Sequence, residues 1–250
     1  PRGPTGRAAR VALIVRGATD VTFVDGQTML HRGCEDGEGD VVAAMLAADI
    51  GLPVPEPFLV EVDDAFLSSI ADPVLHANIA NSSRIAFGLK RLPSGFMVWA
   101  QDGMVPSALA EAAAEVLIFD AIIVNSDRRP QNPNCLFNGK EIAIFDHELS
   151  LAPDQVLFWK APWIEGGFDA ICQENAHIFA PRFLETMPKN LDRFVAAWKQ
   201  LPSERFELYC QALPLEWNGY DRFLADTVRY LLDVQRNIEK IVGLGMEKFS

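Results

Sequence analysis

At 250 residues, 49% hydrophobic and 22% charged, the chain can bury roughly three quarters of its unfolded surface in one large domain or two packed lobes, which excludes global disorder. A net charge of -12 argues against direct nucleic-acid binding, because phosphate backbones are held mainly by clustered Lys and Arg. No apolar run approaches the ~18 uncharged residues of a membrane span, no signal peptide opens the chain, and no membrane partner is expected.

Cys34, Cys135, Cys172 and Cys210 lack the paired spacing that holds zinc and read as reduced thiols of a cytoplasmic protein. The chain opens on Pro1 rather than Met, so a preceding segment is expected.

Residues 1–10, rich in Gly, Pro and Arg, read as a poorly ordered lead-in. Residues 11–15 and 21–24 predict strands, and Asp25-Gly26 turns the second into a third over residues 28–31. An acidic, Gly-rich connection over residues 33–39 leads to a helix at 40–48, carried by Ala and Leu and N-capped by Asp40. Gly51 ends that helix, and Pro53 and Pro55 keep it ended.

Residues 57–62 predict a strand and 63–70 a short helix. Residues 84–90 and 96–99 predict two strands around the turn Pro93-Ser94-Gly95. The first hundred residues are thus sheet-rich with one main helix, and the remainder is mostly helical. A buried helix over 107–124 presents Leu109, Ala113, Val116, Leu117 and Ile122 at helical spacing, and further helices are predicted at 190–200, 203–213 and 220–242. No internal repeat or low-complexity tract interrupts this order.

Most of the chemical information lies between residues 120 and 147. Asp127 is followed five residues on by Asn132, and Asp146 stands 14 residues further, at the end of an apolar run. Phosphoryl transfer needs a group to orient or deprotonate the acceptor hydroxyl, and hard oxygen ligands that hold magnesium against the phosphates. Asp127 suits the first role, and Asn132 and Asp146 the second. The intervening residues 134–137 and 141–145 predict a hairpin around Asn138-Gly139 that returns Asp146 to the loop. The competing reading of these side chains is a set of surface loop polars.

The composite is more specific than its parts. Asn125-x-Asp127-Arg128-x-x-x-Asn132-x-Asn134-x-Leu136, the hairpin and the closing Ile144-Phe145-Asp146 together resemble the HipA-like kinase family, and more distantly the catalytic segment of phosphatidylinositol kinases. Upstream, Gly51-Leu52-Pro53-Val54-Pro55 looks like the helix exit of that family, and residues 87–93 like its interlobe strand.

The resemblance implies an α+β, two-lobed protein-kinase-like fold: a sheet-rich N-lobe over residues 1–95, a helical C-lobe over 96–250, and a single kinase-like domain overall. It implies an ATP- and magnesium-dependent kinase acting on serine or threonine of a protein, with a small-molecule acceptor as an alternative. Asp127 is then the catalytic aspartate, Asn132 and Asp146 the metal ligands, and Phe87, Gly88 and Leu89 part of the adenine-contacting hinge. Arg128 is either a catalytic group on phosphate or half of a structural ion pair. His147 is expected to orient the neighbouring metal ligand through a hydrogen bond.

Kinases of this type hold the phosphates with a strand lysine paired to a helix glutamate. Residues 1–89 contain no lysine. Arg32, beside His31, falls near the lysine position and Asp40 near the glutamate, a pair that matches in charge but not in shape, since guanidinium is a planar fork and ammonium a point charge. Residues 16–20 hold one glycine and an aspartate, which makes a poor phosphate-covering loop, and Lys90 lies on the hinge side. A pseudokinase acting as a binding or regulatory module is therefore the alternative to an active enzyme.

Overall fold

The computed structural model describes residues 14–15, 37–147, 150–153, 156–217 and 221–249. The strands expected at 21–24 and 28–31, and Arg32, lie outside the described residues. The first helix, α1 (Gly37–Asp49), begins earlier than its composition predicts, so Asp40 sits inside the first turn and is not the N-cap. Glu38 and Asp40 in that turn complement the helix dipole, which helps Gly37, Glu38 and Gly39 join the helix. Val41 to Ala47 are at most 3% exposed, because this Ala-rich stretch is apolar all round and has no face to give to solvent. Gly51, at φ 76, closes the helix in a conformation that costs other residues more.

One sheet has the order β1 (Ile14–Val15), β2 (Pro57–Glu61), β3 (Ile85–Leu89). β1 runs parallel to β2 and β3 antiparallel to it, with Leu59 opposite both Ile14 and Phe87. Between β2 and β3 the single expected helix is two, α2 (Asp64–Ser69) and α3 (Pro73–Ala80). The second was signalled by Asp72-Pro73: the Asp72 carboxylate accepts from the amides of Val74 and Leu75 at 2.8 and 2.9 Å, and Pro73 suits the first helical turn. These helices and the sheet bury a small cluster of Val62, Leu67, Ile79 and Ala86, separate from the main core.

The turn at residues 93–95 does not fold the next strand back on β3. Instead β4 (Met97–Val98) pairs antiparallel with β5 (Cys135–Phe137), which pairs with β6 (Ile142–Ile144) in a second sheet. The chain from Lys90 to Phe96 is therefore a crossing between sheets. A 3-10 turn at Ser107–Leu109 opens α4 (Ala110–Ile123), nearly all of which is buried, and α5 (Asp192–Gln200), α6 (Glu204–Gln211) and α7 (Asp221–Phe249) complete the fold. α7 runs past residue 242, to Phe249, whose ring meets Phe168 edge-on.

Although α1 precedes the first sheet's longer strands, its residues belong to the main core with α4 to α7. Its C-terminal end is fastened there: Asp49 accepts from Arg205 Nε at 2.9 Å and from the Tyr209 hydroxyl at 2.6 Å, and Arg193 Nη1 donates to the Ile50 carbonyl at 3.1 Å. Arg193 also pairs with the buried Glu115 of α4, whose carboxyl burial pushes above its ordinary value. Replacing Asp49 by Ala removes a charged acceptor from the buried Tyr209 hydroxyl and the partly buried Arg205 and is expected to lower unfolding free energy by about 2–3 kcal/mol, read from urea denaturation.

Candidate active site

α4 terminates at Val124, a β-branched residue held at φ 62, where the Asn125 amide donates back to the Asp120 carbonyl at 2.9 Å. Asn125 then acts in both directions: its Oδ1 accepts from the Asp127 amide at 3.0 Å and its Nδ2 donates to Asp120 Oδ1 at 3.1 Å. Next comes a tight turn, with Arg129 and Asn132 exchanging backbone hydrogen bonds of 3.1 and 2.9 Å around Pro130. This turn brings the Asn132 amide group to 2.6 Å from Asp127 Oδ2, while Asn134 approaches the same oxygen at 3.4 Å. Asp127 Oδ1 accepts from Arg129 Nη2 at 3.1 Å. The Asp127 side chain keeps 16% of its surface exposed, so an acceptor can reach it.

The β5–β6 hairpin forms as the sequence predicts. Asn138 Oδ1 accepts from the amides of Lys140 and Glu141 at 3.0 and 2.9 Å, and Gly139 takes the positive φ, 91, that the turn requires. On return, the Phe145 amide donates to the Asn134 carbonyl at 3.2 Å, and Asp146 leaves the sheet at φ 59. Val124 and Asp146, both non-glycine residues in the left-handed region, stand at the two ends of the loop, and Asn134, at φ 43, lies between them.

Arg128 lies wholly inside, with no exposed surface. Its Nε donates to Asp120 Oδ2 at 2.6 Å, and its Nη1 donates to the Asn134 carbonyl and, at 3.1 Å, to the Phe145 carbonyl. Of the two readings of this arginine, phosphate contact gives way to the ion pair, because a sealed guanidinium with its donors engaged reaches no ligand. His177 completes the cluster. Its Nε2 stands 2.8 Å from Asp120 Oδ2, and its Nδ1 accepts from the Phe179 amide at 3.0 Å, which assigns the proton to Nε2 in a neutral ring. Burial alone would raise the Asp120 carboxyl, but Arg128 and the His177 hydrogen bond outweigh it and hold the group well below the usual carboxylate range. Burial pushes the His177 imidazole down, against the pull of Asp120.

Asp120 and His177 were not singled out by the sequence. An aspartate inside the apolar run of α4 was the available signal for the first, and nothing local marks a histidine 57 residues away.

Asp40 is 1% exposed and its Oδ1 accepts from the His147 amide at 2.9 Å, so it meets the residue directly after Asp146. The His147 ring is fully buried with Nδ1 3.4 Å from Asp40 and its face set edge-on to Phe119. Among the described residues neither ring nitrogen makes a hydrogen bond, while the His147 backbone amide is held by Asp40.

Of the three residues expected at a hinge, Leu89 lines a cleft of about 330 Å³ with Pro55, Phe96, Met97, Leu136 and Phe145. Phe87 instead belongs to the main core at 1% exposure, and Gly88 lies against Val60. Phe145 joins this cleft to Asp146. Lys90, also on the cleft, is bonded to Glu56 at 3.1 Å.

Asn132 uses its amide N–H on Asp127, and its side-chain oxygen and the Asp146 carboxylate are the atom types that a hard cation such as magnesium would accept. Among the described residues no group of three His, Cys, Asp or Glu side chains is placed to hold a metal.

Removing Asp120 strands the Arg128 charge in the interior, so Asp120→Ala is expected to cost about 3–5 kcal/mol in denaturant unfolding, with Asp120→Asn costing less. The pH response separates the two partners. Asp120, with its lowered folded pKa, contributes stability above its unfolded value near ~3.9 and loses it only as pH falls through the still lower folded value. His177, lowered from an unfolded value of ~6.5, lets the unfolded chain bind a proton first, so stability falls as pH drops below about 6.5. Melting curves at about pH 7 and about pH 5 should therefore differ less in His177→Gln than in the unsubstituted protein.

A search among curated proteins finds no match. The family model described as HipA-like kinase matches residues 23–242, nearly the whole chain, and among the described residues no helix is long and apolar enough to cross a membrane. The chain belongs to the HipA-like kinase family.

Proposed function

We propose that this protein transfers the γ-phosphoryl group of ATP to a hydroxyl, most specifically that of a serine or threonine on a protein, in a magnesium-dependent reaction. The observation that carries this reading is the 2.6 Å contact of Asp127 with Asn132, on a loop that Arg128 ties to the carbonyl directly before Asp146. Asp127 orients the acceptor hydroxyl and receives its proton, and Asn132 and Asp146 hold the metal. When bound, magnesium neutralises charge on the phosphate oxygens. The cleft lined by Leu89, Phe96, Leu136 and Phe145 takes the base, with apolar surface on both sides.

The sheet of β1, β2 and β3, with α2 and α3, is read as the lobe that covers the nucleotide, and the crossing at residues 90–96 as the hinge to the larger helical lobe. The thiols Cys135, Cys172 and Cys210 are free, which supports a cytoplasmic setting.

A pseudokinase remains the second reading, favoured by a lysine-free stretch over residues 1–89 and by the engagement of Lys90 with Glu56. Calorimetry with ATP and magnesium decides between them. An active enzyme binds the nucleotide, Asp146→Asn loses the magnesium-dependent part of that binding, and Asp127→Asn keeps binding while transfer falls roughly 100-fold to 10,000-fold. Absence of binding at millimolar ATP would sink the enzyme reading.

A further inference from the structure

β3 is held at its start by a residue that lies between α6 and α7. Trp217 has no exposed surface, and its Nε1 donates to the Ile85 carbonyl at 2.9 Å and to Ser83 Oγ at 3.2 Å. We propose that Trp217 is a positioning residue: it clamps the start of β3 to the helical body, so that the cleft at the far end of β3 keeps its width whether or not it is occupied; this rests on the cleft being the nucleotide site, as proposed above.

The register of the strand explains why an indole can reach it. Glu61 and Ile85 stand opposite each other, and the Val62 amide donates to the Arg84 carbonyl at 2.7 Å. In an antiparallel ladder this makes Glu61 and Ile85 a non-bonded pair, so the Ile85 amide and carbonyl point away from β2. The amide meets Ser83 Oγ at 3.1 Å, and the carbonyl takes the indole N–H. Side-chain packing agrees. Ala86 belongs to the small cluster, whereas Phe87 and Trp217 belong to the main core, as expected when successive strand residues face opposite sides. The base of Trp217 is itself fixed: its amide donates to the Pro214 carbonyl at 3.0 Å, closing a turn shortly after α6, and α6 is tied to α1 through Arg205, Tyr209 and Asp49.

The mechanical consequence follows from where the two ends of β3 lie. Ile85 and Leu89 are the first and last residues of the strand, about 13 Å apart. Leu89 lines the cleft, and the chain then crosses to the second sheet, where Met97 pairs with Phe137. A strand attached only through that crossing could swing outward and widen the cleft. Attached at both ends, β3 keeps one freedom, a roll about its own line, which displaces β2, α2 and α3 and leaves Leu89 in place. A ligand that enters a cleft of fixed width spends none of its binding free energy on ordering the walls, and its apparent affinity scales with the fraction of molecules that hold the competent spacing.

Hydrogen exchange of the peptide covering residues 83–89, with and without magnesium-ATP, reads the clamp on the full chain, and calorimetry reads affinity for the same nucleotide. The unsubstituted protein should protect this peptide equally in both states. Trp217→Phe keeps a ring in the core but removes the N–H; it should speed exchange there roughly tenfold without nucleotide, recover protection on binding, and bind ATP roughly threefold to tenfold more weakly. Where transfer is measurable, KM for ATP should rise by the same factor while kcat stays within about twofold. Gln235→Met removes donors to the Trp198 and Leu201 carbonyls elsewhere in the helical body, and should lower the melting temperature while leaving exchange at 83–89 and nucleotide affinity unchanged. If Trp217→Phe does not fold, Ser83→Ala, which removes one of the two acceptors, should give the same pattern with exchange faster by about threefold. Unaltered exchange at 83–89 in these variants, or an equal effect of Gln235→Met, overturns the inference and leaves the kinase reading standing. Faster exchange in Trp217→Phe, when even the unsubstituted protein binds no ATP, upholds the clamp and overturns the nucleotide reading.

Discussion

One guanidinium without exposed surface keeps the two parts of the site in register. Arg128 reaches from the loop to Asp120 on α4, to the Asn134 carbonyl just after the Arg129–Asn132 turn, and to the carbonyl before Asp146. Burying a charge of each sign is expensive in desolvation, and the arrangement is tolerable only because every strong donor and acceptor is met: the second Asp120 oxygen takes Asn125, and His177 arrives as a neutral donor. Such a cluster contributes less to net stability than to uniqueness, since any shift of the hairpin relative to the loop leaves a buried charge unmatched.

The same logic explains the odd allegiance of α1. Its chain position places it with the first sheet, yet its apolar surface is absorbed by α4 to α7 and its end is tied to α6 through Asp49. Asp40, on the other end, meets the backbone beside Asp146. The first sheet, by contrast, rests with α2 and α3 on a four-residue cluster of its own. Packing thus divides the molecule differently from sequence order, and the helix whose Asp40 meets the chain beside Asp146 is anchored to the larger body.

How much of this could be read from residues alone follows from how local each interaction is. The backbone course of the Asn125–Asp146 stretch was legible because its turn and hairpin are encoded within about two dozen residues, with Asn138-Gly139 fixing the hairpin by backbone chemistry. The helices of the second half announced themselves by apolar periodicity. The partner of β4 did not, because a turn at 93–95 looks the same whether the chain folds back or crosses to another sheet. Arg128 and Arg129 are identical in kind and adjacent, and only tertiary burial tells them apart. The start of α1 depended on neighbours that pull glycines into a helix, and His177 on a contact 57 residues away.

Arg128 holds the chain just before Asp146 through the carbonyl of Phe145, and Phe145 also lines the cleft. A main-chain oxygen is present whatever residue stands there. Position 145 can therefore drift in size and shape over evolutionary time, refitting the cleft to a different occupant, without disturbing the carboxylate that follows it. Asp120 and Arg128 have no such freedom, since a change in either must be answered by the other.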